Sequence, residues 1–187
     1  APMADALREL GGVHAAYQRS YECLPSWVSA ANTDVHFVWG PHTARPGAAD
    51  GSSASYSIAT GFLGDHRFVA LRPQARELRE KLKKHGAKRV IALFDENSRG
   101  DHRWHVGHER LRLGYQFILE KLLKDPTLGL IIKPKVAISL RQRLAPMDGL
   151  LAEAEKTGRC FVFVGGKIHS SHPPSAAALA ADLAVHT

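Results

Sequence analysis

Lys133 and Lys135 flank Pro134 at the end of an apolar run, and the proline holds the backbone extended so that both ammonium groups can face one crevice. Two positive charges so placed suit a phosphate leaving group, on which negative charge builds as its bond breaks. The competing reading is two solvated surface lysines. Asp95, Glu96, Asn97 and Ser98 follow another apolar run, and their carboxylate, amide and hydroxyl groups can hydrogen-bond a sugar or a ribose. A turn that caps the next helix draws on the same residue types. Glu22, with Arg19 nearby, can act as general base toward a hydroxyl group, or the two can form a surface ion pair.

His102, His105 and His108, beside Asp101 and Glu109, bring imidazole and carboxylate together, the usual metal ligands. Their i, i+3, i+6 spacing spreads them around a helix instead of converging them, so the expectation is a polar loop and no metal. Trp104 in that loop can cover a sugar or base face, or simply pack. Cys23 and Cys160 stand far apart and form no C-x-x-C pair, which points away from a disulfide scaffold or zinc knuckle and toward a reducing cytoplasm.

These residues need elements to hold them. A short helical pattern at residues 4–10 ends at Gly11-Gly12, a strand is expected at 13–17, and Val35-His36-Phe37-Val38-Trp39 reads as another strand closed by Gly40-Pro41. Residues 43–57, rich in Ala, Gly and Ser, read as a loop or linker. Beyond them the pattern becomes regular. Leu71, Ala75, Leu78 and Leu82 recur at helical spacing before Gly86, and Arg89-Val90-Ile91-Ala92-Leu93-Phe94 follows as a strand covered on both faces. A helix through Leu111, Tyr115, Ile118, Leu119 and Leu122 stops before Asp125-Pro126, and Leu128-Gly129-Leu130-Ile131-Ile132 is the next buried strand. A helical stretch carrying Leu140, Leu144, Met147 and Leu151, broken near Pro146, leads to a strand at Cys160 to Val164; Pro173-Pro174 opens an Ala-rich helix, and Leu183-Ala184-Val185 starts a fourth strand.

Strand alternating with helix over short links predicts an α/β fold: a Rossmann-like parallel sheet of about four strands, half of a doubly wound domain, over residues 58–187. Residues 1–57 are expected to be a fragment of a second α/β domain with its linker. In such sheets ligands sit beyond the carboxyl ends of the strands, here 95–105, 133–136 and 165–172. The 187 residues suffice for one domain plus a fragment of another, and no run of eighteen apolar residues or secretory leader is visible. A formal net charge of +7 draws the chain toward anions. The basic residues from Arg67 to Arg89 alternate with leucines as the polar face of a helix and lack an aromatic stacking set, which favours a solvated face, one that can also lie toward an anionic membrane, over nucleic-acid binding.

The runs VIALFDENS (Val90 to Ser98), GLIIKPK (Gly129 to Lys135) and KTGRC (Lys156 to Cys160), with His172-Pro173-Pro174 and Ala180-Ala181-Asp182-Leu183-Ala184-Val185, resemble bacterial capsule and lipopolysaccharide glycosyltransferases. Tyr17 to Glu22 and DVHFVWG (Asp34 to Gly40) are similar to the end of the N-terminal domain of such enzymes, and Thr60 to Asp65 to the crossover into the second domain. The resemblance covers most of the chain and implies the GT-B arrangement, two facing Rossmann-like domains with a glycan acceptor on the first and a nucleotide sugar on the second. It implies a cytoplasmic protein, in peripheral contact with the inner membrane face, that moves a sugar from the nucleotide donor to a surface polysaccharide and uses the donor as substrate with no separate cofactor. Lys133, Lys135, Asn97, Ser98 and His172 would then bind the donor, and Glu22 and Arg19 would serve catalysis. His172 resembles the His-Pro pairs of CMP-sugar-using transferases, where imidazole and a helix N-terminus meet phosphate; it also reads as a loop histidine ahead of a proline-started helix. Relative to that family the chain lacks the start of the first domain and the turn and helix that follow the fourth strand of the second. The expected protein is therefore a fragment. A non-catalytic binding or assembly module, and glycerophosphate transfer from a CDP-linked donor, stand as alternatives.

Overall fold

The computed structural model describes residues 2–18, 32–42, 51–96, 98–100, 107–164 and 173–186. They divide into two compact units, Ala1–His66 and Arg67–Thr187.

In the first unit, helix α1 (Pro2–Glu9) precedes strands β1 (Ala15–Tyr17), β2 (Asn32–Val38) and β3 (Ser53–Ala59), which pair in parallel in that order. The expected loop over 43–57 is corrected at its end, because residues 53–57 belong to β3 and pair along β2 from Asn32↔Ser53 to Val38↔Ala59. Serine and alanine carry little strand propensity of their own, and pairing with a neighbour supplies what the local sequence does not. At the carboxyl end of this sheet the Tyr17 hydroxyl donates to the Gly61 carbonyl at 3.2 Å and accepts from the Leu63 N–H at 3.0 Å.

The second unit carries α2 (His66–Lys84, its first residue counted with the first unit), β4 (Arg89–Asp95), α3 (His108–Lys124), β5 (Leu128–Pro134), α4 (Leu140–Arg143), α5 (Asp148–Lys156), β6 (Cys160–Val162), α6 (Pro174–Ala180) and β7 (Leu183–His186). The break expected near Pro146 appears as two short 3-10 turns, Ala137–Ser139 and Ala145–Met147, on either side of α4. All four strands are parallel, in the order β6-β5-β4-β7, as the continuous apolar runs predict. β5 is buried along its whole length.

Strand alternation sorts the core into two layers. Leu93, Leu130, Ile132 and Cys160 point to the face covered by Leu111, Tyr115, Leu119 and Leu122 of α3, Leu140 of α4 and Leu151 of α5. Val90, Ala92, Ile131 and Phe163 point to the opposite face, against Ala75, Leu78 and Leu82 of α2 and the alanines of α6. The chain walks from β4 to β5 to β6 with its helices on one face, then returns past both to place β7 beside β4. Crossovers of one hand require the returning helix to lie on the other face, and α6 does.

Candidate functional site

The strand order reverses at β4, with β5 on one side of it and β7 on the other, and in open parallel sheets ligands sit beyond the carboxyl ends of the strands at such a reversal. Glu96 lies just past the carboxyl end of β4. One carboxylate oxygen accepts from Lys135 Nζ at 2.6 Å and the other lies 3.3 Å from His186 Nε2. The Lys135 hydrogen bond, opposed by partial desolvation and helped by the lysine and histidine charges, holds the Glu96 carboxyl below its usual range. The Lys135 backbone N–H donates to the Asp95 carbonyl at 3.0 Å, which fixes the start of one loop to the end of the neighbouring strand.

Asp95 belongs to the α3 face. Only 3% exposed, it takes the Arg143 guanidinium on both oxygens, at 3.0 and 3.4 Å, and the Tyr115 hydroxyl at 3.0 Å. Burial first, then the adjacent carboxylate, pushes the Tyr115 phenol far above its ordinary value, so it is a fixed donor here. Arg143 also donates from Nε to Ser139 Oγ at 3.3 Å, and Arg112 Nε donates to the Arg143 carbonyl at 2.8 Å. Beside this group Ser98 Oγ lies 2.6 Å from His108 Nδ1.

No protein-family model matches the chain, and neither a curated protein nor a solved structure does.

Of the residues expected to bind a donor, Lys135 and Ser98 stand at the carboxyl end of β4 and β5 with partners of their own. Lys133 is 9% exposed and donates to the Pro134 carbonyl at 3.0 Å, and desolvation lowers its pKa despite the attraction of Asp95. The two lysines therefore differ in kind: Lys135 is exposed and paired with Glu96, whereas Lys133 is enclosed. Asn97, His172, Arg19 and Glu22 lie outside the described residues, as do Asp101, His102, Trp104 and His105. Among the described residues no group of three His, Cys, Asp or Glu side chains is placed to hold a metal ion.

Arg112, Arg143, Tyr115 and His186 escaped the sequence reading. Tyr115 carries the helical apolar period and reads as core, and Arg143 is embedded in the apolar stretch around Leu140 and Leu144. A signal was available for Arg112, which follows His108 by four residues and so shares its helix face.

Proposed function

We propose that the chain is part of a glycosyltransferase that moves a sugar from a nucleotide-sugar donor to a bacterial surface polysaccharide, with residues 67–187 on the donor side. The observation that carries this reading is the parallel order β6-β5-β4-β7, whose reversal beside β4 is the position at which nucleotides sit in open α/β sheets. Glu96 offers oxygens to ribose or sugar hydroxyls, and Lys135 offers charge to the departing phosphate once that phosphate displaces Glu96. Glu22, with Arg19, is the general base of this reading, and Asn97 and His172 complete the donor contacts. Calorimetric titration of CMP, UDP and GDP tests it. One nucleotide is expected to bind, and Lys135→Ala to weaken it about tenfold or more, the scale of one charge-assisted hydrogen bond. Indifference to all three nucleotides would overturn the reading. Product analysis separates sugar transfer from glycerophosphate transfer, which shares the same anion chemistry.

A second reading, a non-catalytic module on an anionic membrane face, draws on α2. Arg67, Arg72, Arg76, Lys81, Lys83 and Lys84 are all exposed on it, against Glu77 and Glu80. Co-sedimentation with vesicles containing anionic lipid tests this role, and binding that is absent or unaffected by high salt contradicts it.

A further inference from the structure

Helix α3 turns apolar residues to two opposite sides. With about 3.6 residues per turn, Leu111, Tyr115, Leu119 and Leu122 fall together and are buried against the sheet. The same period sets Leu113 and Phe117 on the outer side, 62% and 63% exposed. Single apolar side chains on a surface are ordinary, but two of this size one turn apart form a continuous patch. The Lys121 ammonium lies 5.5 Å from the centre of the Phe117 ring and extends the patch by a further turn. Gly114 is exposed beside them, and a Cβ built there meets no described atom within 4 Å. The helix would accept alanine at that position and gain from it, so the fold of the single chain gives no reason for a glycine. A missing side chain does let a second surface come close to the helix backbone.

Charge is divided across this outer face. Glu109 and Glu120 follow one flank of the line from Leu113 to Phe117, and Arg110 and Lys121 follow the other. Glu120 accepts from Gln116 Nε2 at 2.8 Å and its other oxygen lies 3.8 Å from Lys124 Nζ, contacts at the surface that water or a partner can replace at little cost. Such a face is complementary to a second copy of itself in one orientation. When two copies lie parallel about a two-fold axis along the helices, the acidic flank of each meets the basic flank of the other. Turned antiparallel, acidic would meet acidic and basic would meet basic.

We propose that the outer face of α3 pairs with the same face of a second copy of this chain, the two helices parallel. Phe117 then meets Phe117 and Leu113 meets Leu113, while Lys121 faces Glu120 and Arg110 faces Glu109 of the other copy. Burial of the apolar pair supplies the attraction, and the charged flanks set the direction. One helix from each copy makes a small interface, so the dimer dissociates on dilution. The net charge of +7 on each chain opposes association at low salt, which makes physiological ionic strength, where charges beyond about 8 Å are screened, the condition to use. The pairing needs no nucleotide and stands apart from the transferase reading.

Sedimentation velocity of the full chain, from micromolar to near-millimolar concentration, is the test. The wild type shifts from monomer to dimer, and Phe117→Glu weakens association by about tenfold or more, because it sets two carboxylates against each other at the centre of the contact. Val69→Glu is the control: Val69 is also 63% exposed, but on α2, which packs on the other face of the sheet, and its replacement leaves association within about twofold. Lys121→Glu weakens the dimer by placing acid opposite acid, and adding Glu120→Lys to it restores the pairing with its signs exchanged. Gly114→Ala raises the urea midpoint of the monomer while weakening the dimer, and serves if Phe117→Glu fails to fold. A chain that stays monomeric at every concentration overturns the proposal. So does equal loss on Val69→Glu, which would reduce the effect to general apolar adhesion, and so does a dimer strengthened by Lys121→Glu, which would require the antiparallel arrangement.

Discussion

Asp95 concentrates the cost of building a polar group into this sheet. Its side chain is fully enclosed and Arg143 is 5% exposed, so the pair persists only because each charge is met and the Tyr115 hydroxyl fills a further acceptor position. Arg143→Ala leaves a buried carboxylate uncompensated and is expected to cost about 3–5 kcal/mol in urea unfolding. Asp95→Leu combined with Arg143→Met removes both charges and is expected to recover much of that loss; a double variant as unstable as the single one would contradict the pairing. Asp182 behaves differently because it is exposed. It accepts from the Val90 N–H at 2.8 Å and from Arg79 at 2.6 Å, and Arg79, followed by that backbone bond, lowers its pKa. A lowered native pKa means the unfolded chain binds the proton more tightly, so the contribution is full above the ordinary value of 3.8 and is lost as pH falls through the native value. Asp182→Asn is therefore expected to flatten the fall of the urea midpoint between about pH 5 and pH 3, and an unchanged slope would count against the linkage. At this scale the sequence was least informative. Lys135 and Ser98 could be picked out from their place after apolar runs, but the partners of Lys133 and Arg143 depend on which elements meet, and a single chain of letters does not carry that.

Strand and helix were far more legible. Apolar runs located β4 and β5 within one or two residues, because a strand covered on both faces has little room for polar side chains, and β7 was placed by its short apolar run although all four of its residues are exposed. β3 was missed for the converse reason: its serines and alanines are mostly exposed, and its pairing with β2 does not show in composition. Register is set by close packing. Gly129 of β5 pairs with Val90 of β4, and a Cβ added there would fall 2.9 Å from Ala87 Cβ and 3.3 Å from Val90 Cγ2. Gly129→Ala is accordingly expected to destabilise by about 1–3 kcal/mol despite alanine's lower unfolded-state entropy, and a raised urea midpoint would show that β4 and β5 are spaced more loosely. At the other end of the sheet Arg159 is a structural clamp, donating from one nitrogen to the carbonyls of Leu122, Asp125 and Leu128 at 3.1, 2.8 and 2.6 Å. It ties the end of α3 to the start of β5, which accounts for an arginine between Gly158 and Cys160 without a ligand.

In the larger of the two units, polarity is distributed by the ends of the strands. The amino ends, near Lys88, Thr127 and Arg159, are closed by backbone and clamp hydrogen bonds, whereas the carboxyl ends gather Asp95, Glu96, Lys135 and His186. No helix among the described residues is long and apolar enough to cross a membrane, and the net charge of +7 suits an anionic ligand or surface. The claim on which the functional reading rests is that a nucleotide enters where the strand order reverses. Isotope-labelled amide spectra recorded during titration with CMP, UDP and GDP address it directly. The account predicts that one nucleotide shifts the amides of Glu96, Lys135 and His186 together; shifts centred on Lys88, Thr127 and Arg159, or none with any of the three, would contradict it.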